Sequence, residues 1–235
     1  MASPLKLVLL IFLLVSLPGS FIGRGQTPAS TGEADLELVL AVDCSSSVDA
    51  LEYQLQMEGL SQAFSHPSVL KAIEAHAARG IVVTLVQWAG ADAQRQVIDW
   101  QRLRSRKDAL ALSRLLAATP RQISGPTAVG DVIDFSARLL LTNAWAGKRQ
   151  VIDVSGDGRH NEGEAPPFAR ARATKNGIVI NGLAILNEEK NLDRYYAVGV
   201  VGGPGSFLEI ANDYEAFAIA IRRKLQQEIS GVPIS

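Results

Sequence analysis

Leu36-Glu-Leu-Val-Leu-Ala-Val-Asp-Cys-Ser-Ser-Ser47 is the stretch from which the fold is read. Its first part is apolar except for Glu37, and its polarity reverses at Asp43. A short apolar run without alternation suits a strand buried on both faces, as in a parallel sheet. Helical spacing follows from Asp49 to Phe64, with Leu51, Leu55 and Leu60 among its apolar positions. Asp49 is the expected N-cap, and Glu52 three residues on completes a variant of the capping box.

The same alternation continues along the chain. Ile81–Trp88 reads as a second buried strand and Arg95–Trp100 as a short third one. Helices are expected over Arg106–Ala118, closed by Pro120, and over Thr127–Leu141, with Val129, Val132, Ile133, Leu139 and Leu140 toward the core. Gln150–Val154 is the next strand. The helix Ala165–Lys175 carries Pro166 and Pro167 in its first turn, where proline is tolerated, and ends at Asn176-Gly177. Ile178–Leu186 is a strand, Leu192–Val198 a short helix, Gly202–Gly205 a loop and Phe207–Ala211 a last short strand. Tyr214–Ile229 closes the chain as an amphipathic helix with Phe217, Ile221 and Leu225 on one face. Strands alternating with helices predict an α/β fold: Rossmann-like, three-layer and doubly wound, with a mostly parallel sheet and one short antiparallel edge strand near Arg95–Trp100.

The composition agrees. The 235 residues are 47% hydrophobic and 20% charged, which excludes disorder and a disulfide-stapled miniprotein. A net charge of -1 gives no basic excess for a nucleic-acid backbone. Lys6 precedes the unbroken apolar run Leu7–Val15, and Pro18, Gly19 and Ser20 follow. This is the pattern of a secretory signal peptide, too short to span a bilayer comfortably. Cuts after Ser20 and after Gly25 both fit. Residues 1–25 are therefore expected to be a signal peptide, 26–34 a linker and 35–230 the folded domain, periplasmic or secreted. Contact with the membrane is expected only if the segment stays uncleaved. The single cysteine, Cys44, excludes an intramolecular disulfide and a cysteine metal cluster.

In doubly wound sheets ligands bind at the carboxyl ends of strands, beside the point where strand order reverses. The first strand ends in Asp43-Cys-Ser-Ser-Ser47, the strand over 150–154 leads into Ser155-Gly-Asp-Gly158, and Ser124-Gly-Pro-Thr127 opens a helix between them. Asp43, Ser45, Ser47, Thr127 and Asp157 make a hard-oxygen set without His or thiolate, suited to magnesium or manganese. In a turning loop the alternate positions 43, 45 and 47 can face one side. The competing readings are that Asp43 and the serines cap the next helix, that Thr127 is a plain N-cap and that Asp157-Gly158 is only a turn.

The order Asp43-x-Ser45-x-Ser47, Thr127, Asp157 resembles the metal-ion-dependent adhesion site of von Willebrand factor A-type domains, and residues 35–230 fit the element order of that fold. The stretches Val39–Asp43, Gln87-Trp88 and Val151–Gly158 are similar to a family of exported bacterial proteins of unknown function. The resemblance implies that Ser45, Ser47 and Thr127 ligate a cation, that Asp43 and Asp157 hold it directly or through water, and that an acidic residue of a protein partner fills the open position. It implies binding, not catalysis. Cys44 falls on a variable position of the motif.

The enzyme alternative is a magnesium-dependent phosphohydrolase of haloacid-dehalogenase-like type, which also sets an Asp after its first strand and a Gly-Asp near its end. Its first motif needs a second acid two residues on as general acid, and Ser45 stands there. No Gly-x-Ser-x-Gly elbow supports a serine hydrolase. Asp153 reads either as an orienting partner of the site loops or as a structural carboxylate. His160 reads as exposed or as a partner contact, His66 and His76 as helix-surface residues, and Trp88, Trp100 and Trp145 as core or edge packing.

Overall fold

The computed structural model describes residues 32–231. The expected signal peptide and the first part of the expected linker lie outside the described residues. Six strands form the main sheet: β2 (Leu36–Asp43), β3 (Ile81–Trp88), β4 (Gln94–Leu103), β6 (Gln150–Gly156), β7 (Val179–Ile185) and β8 (Leu208–Ala211). Their spatial order is β4-β3-β2-β6-β7-β8, and only β4 runs antiparallel, on the edge. The chain leaves β2 toward β3 on one side and later returns to β6 on the other. The reversal of strand order therefore falls between β2 and β6, where a crevice opens at the carboxyl ends.

Pleating sends alternate residues of β2 to opposite faces. Leu36, Leu38, Leu40 and Val42 join one apolar cluster with α1 (Ala50–Ser65), α2 (Pro67–Ala75), α3 (Arg106–Ala117) and α7 (Phe217–Ser230). Val39 and Ala41 join the other with α4 (Val129–Thr142), α5 (Pro166–Lys175) and α6 (Leu192–Gly199). The result is the expected three-layer α/β architecture. The capping box at α1 is present, with Asp49 accepting from the Glu52 N–H and Glu52 accepting from the Asp49 N–H, each at 2.8 Å.

Several details differ from the sequence reading. Residues 32–34, at the end of the expected linker, form β1 (Gly32–Ala34), paired in parallel with β5 (Trp145–Gly147). Three-residue strands are too short to carry a periodic signal. The helix α2 begins at Pro67, which starts a helix readily because its missing N–H would be unbonded there, and His66 caps it by accepting from the Ser68 N–H. Leu60 is buried as expected, but Leu51 is 61% exposed, and α1 also buries Tyr53, Met57 and Phe64. The antiparallel strand is longer than expected, and its mixture of half-buried and exposed residues befits an edge.

At the amino end of the sheet, Asp35 accepts from Lys148 Nζ at 2.9 Å and faces His76 Nδ1 at 3.1 Å. These bonds hold its carboxyl down to about 2. A depressed carboxyl stabilises the fold above its ordinary value near 3.8 and loses that contribution as pH falls toward 2. Urea titrations from pH 6 to pH 2 should therefore show Asp35→Asn less stable than the wild type at pH 6, with the gap closing toward pH 2. A constant gap would show that the carboxylate is not the source.

Candidate metal centre

Asp43 ends β2 fully buried, and its Oδ1 accepts the Ser45 N–H at 2.7 Å. The loop beyond alternates as its spacing requires. Ser45 is 1% exposed, while Ser46 points outward and its Oγ donates to Gly125 O at 3.0 Å. Ser45 Oγ and Ser47 Oγ lie 3.0 Å apart, and Ser47 Oγ donates to Asp157 Oδ1 at 2.9 Å. Asp157 follows β6 directly, 1% exposed. Thr127 is 5% exposed, and its hydroxyl stands 3.7 Å from where a Cβ on Gly158 would lie. The structure thus brings together all five residues singled out in the sequence.

The capping alternatives do not describe these residues. Asp49, not Asp43 or a serine, caps α1. Ala128 is the N-cap of α4, and no side chain bonds its first turn. Thr127 is instead locked to the Asp157 loop through its backbone: its N–H donates to Asn161 Oδ1 at 2.8 Å, and its carbonyl accepts from the Asn161 N–H at 2.9 Å.

Sequence reasoning missed the groups that hold the loops. Arg121, between α3 and α4, donates through Nη2 to Cys44 O at 2.7 Å and Ser45 O at 2.9 Å, and through Nη1 to Val48 O at 2.6 Å. It thereby fastens the Asp43–Ser47 loop to the loop leading to Thr127. Nothing in local spacing marks such an arginine, because its partners are backbone carbonyls more than 70 residues away. Three buried aromatics, Trp88, Tyr196 and Tyr214, also surround the site. Gly156 admits this packing: a Cβ there would meet Tyr196 Oη at 2.6 Å and Asp43 Oδ2 at 2.8 Å.

The electrostatics are unusual for an interior. Burial, and then the neighbouring Asp157, push the Asp43 carboxyl up to about 7. Burial and both carboxylates raise Tyr196 and Tyr214 above the ordinary phenol value. Asp43 Oδ2 and Asp157 Oδ2 are buried without a hydrogen-bond partner. Orphaned carboxylate oxygens are costly unless a cation is supplied. Among the described residues no group of three or more His, Cys, Asp or Glu is placed to hold a metal. A cation here would therefore rest on two carboxylates and three hydroxyls, and that oxygen set fits magnesium or manganese.

The remaining singled-out residues lie apart from this chemistry. Burial pushes the Cys44 thiol up to about 12, which leaves it un-ionised and unreactive at neutral pH. The contacts of Asp153 fit its reading as a structural carboxylate. It pairs at 2.6 Å with the buried Lys224 of α7, which also meets Glu228 at 2.5 Å. His160 is half-buried. His66 and His76 sit at helix ends. Trp88 is core, whereas Trp100 and Trp145 are half-buried at the β4 edge.

Residues 33–233 match the family described as Protein of unknown function (DUF1194). No curated protein matches the chain. Among solved structures, proximal thread matrix protein 1 from the mussel byssus, with a zinc-occupied MIDAS motif, is 11% identical with a TM-score of 0.62. That match covers 85% of this chain and 49% of the mussel protein, so this chain spans about half of that protein's length. The pilus adhesin SpaC from Lactobacillus rhamnosus GG is 14% identical over 84% of this chain and 31% of its own, with a TM-score of 0.61. The von Willebrand factor type A structure from Catenulispora acidiphila is 16% identical over 84% of this chain and 43% of its own, with a TM-score of 0.57. At these identities the likeness is one of fold.

Proposed function

Since the chain belongs to the family described as Protein of unknown function (DUF1194) and has the fold of von Willebrand factor A-type domains, we propose that it is a metal-dependent protein-binding module. Asp43, Ser45, Ser47, Thr127 and Asp157 are its metal-binding residues. The observation that carries this reading is the pair of buried, unpartnered carboxylate oxygens, Asp43 Oδ2 and Asp157 Oδ2, set beside the hydroxyls of the two serine positions and Thr127. A bound magnesium or manganese ion would supply a positive charge that two carboxylates and three neutral hydroxyls leave attractive to a further anion. The acidic side chain of a partner protein is the anion proposed. The zinc-occupied motif of the mussel protein and the adhesin role of SpaC support a divalent cation and a binding role. The apolar run after Lys6 supports export, with the domain acting outside the cytoplasm. Among the described residues no helix is long and apolar enough to cross a membrane.

A phosphohydrolase would need a carboxyl group where Ser45 stands, two residues beyond Asp43, to protonate its leaving group. Thr127→Ala leaves both acids in place and removes one hydroxyl. It is expected to abolish magnesium-dependent capture of the protein partner in affinity pull-downs, while the wild type releases no phosphate from phosphate monoesters. Magnesium-dependent phosphate release by the wild type that disappears in Asp43→Asn would establish the enzyme instead.

A further inference from the structure

We propose, resting on that reading, that the groove between the first turn of α5 and the length of α6 receives a bulky apolar side chain of the partner, lying within about two residues of the acid taken by the cation. A cavity of about 580 Å³ opens there, lined among others by Arg159, Pro167, Arg194, Tyr195 and Val198. Its upper end adjoins the metal centre. Arg159 stands two residues beyond Asp157, a chain span of at most about 7 Å. Tyr195 adjoins Tyr196, whose hydroxyl reaches Gly156, and the two rings meet edge to face at 6.2 Å.

The walls define the occupant. Pro167, Tyr195 and Val198 make an apolar floor, and Val198 is 76% exposed, with Phe168 on α5 64% exposed. The charged side chains lining the cavity are two guanidiniums. Arg159 lies over the Tyr195 ring at 5.2 Å and pairs with Glu189 at 3.3 Å. The Arg194 guanidinium has no hydrogen bond or ion pair among the described residues, and the neighbouring Asp193 lies outside the lining. A cationic lip, an apolar floor and a metal centre that draws a carboxylate together complement a protein segment in which an acid adjoins Leu, Phe or Trp.

The test uses an array of acetylated hexapeptides, each with one fixed Asp and a varied neighbour, probed with the full chain in magnesium and in EDTA. The variants are Val198→Asp and Arg194→Ala, with Ile219→Asp on α7, 52% exposed, as a control. Retained peptides should carry Leu, Phe or Trp within two residues of the Asp. Val198→Asp should weaken them about tenfold or more, since burying one such side chain is worth at least a decade in affinity. Arg194→Ala should weaken them less, and Ile219→Asp not at all. Magnesium affinity by calorimetry should be equal in all four proteins. No capture, capture without preference for the neighbour, or a preference unchanged in Val198→Asp would overturn the groove assignment and leave the metal reading standing. Capture that persists in EDTA would overturn the metal reading itself.

Discussion

Asp43→Asn is expected to abolish the thermal stabilisation that magnesium confers and to raise the melting temperature of the cation-free protein. Both effects have one cause. The Asp43 carboxylate is wholly buried, one of its oxygens has no partner, and Asp157 faces it. Without a cation, two like charges share an interior and oppose folding; with one, they become its anchors. Wild-type protein in magnesium at about 100 times the dissociation constant gains about 2.7 kcal/mol. For a domain of this size that amounts to about 5–10 °C. The asparagine keeps the oxygen that accepts the Ser45 N–H, so the loop retains its local bond and only the charge is lost. Differential scanning calorimetry with and without magnesium measures both effects. A magnesium-induced shift equal to that of the wild type would show that Asp43 does not bind the ion.

Gly130→Ala should be the most damaging single-methyl change near the site. Gly130 lies in the first turn of α4, and a Cβ there would stand 2.0 Å from the Glu164 carbonyl oxygen and 2.8 Å from its carbon. The obstacle is backbone, which has no rotamer to retreat into. Overpacking costs about 1–3 kcal/mol and sometimes more, and this contact should reach the upper end. At about 3 kcal/mol the melting temperature falls by about 6–12 °C. The damage should spread to cation binding, because the displaced loop is tied to α4 by the Glu164 N–H bond to Asp131 Oδ2 at 2.9 Å and to Thr127 by Asn161. Gly199→Ala is the control, since a Cβ there meets only Tyr195 Cε2 at 4.0 Å. Calorimetric unfolding together with magnesium titration separates loss of fold from loss of site. A Gly130→Ala protein as stable as Gly199→Ala would contradict the close approach.

Legibility followed physical scale. The interior strands β2, β3 and β6 were readable because burial on both faces leaves unbroken apolar runs. The start of α1 was readable because Asp49 and Glu52 satisfy its first N–H groups through side chains only three residues apart. The five oxygen-bearing residues were recognisable as a set because each sits where a doubly wound sheet ends a strand or opens a helix. Residue type alone could not separate ligand from cap: Thr127 is a good capping residue, and only the position of Ala128 at the cap excludes that role. Leu51 misled because it shares the helical spacing of Leu55, whereas the face α1 buries runs through Tyr53, Met57 and Leu60. Arg121, Asn161, Tyr196 and Tyr214 were illegible for one reason. Each meets a part of the site far from it along the chain, Asn161 by bonding Thr127 34 residues away, and the partners of Arg121 and Asn161 there include backbone groups that every sequence possesses.

These five oxygen-bearing side chains are proposed to hold one divalent cation. Crystals of the protein grown with manganese, measured at a wavelength where manganese scatters anomalously, test it most directly. A single strong anomalous peak is expected in the crevice between the ends of β2 and β6, within coordination distance of the Ser45, Ser47 and Thr127 hydroxyls and beside the Asp43 and Asp157 carboxylates. A crevice without a peak at saturating manganese, in a chain otherwise folded as described, would contradict it.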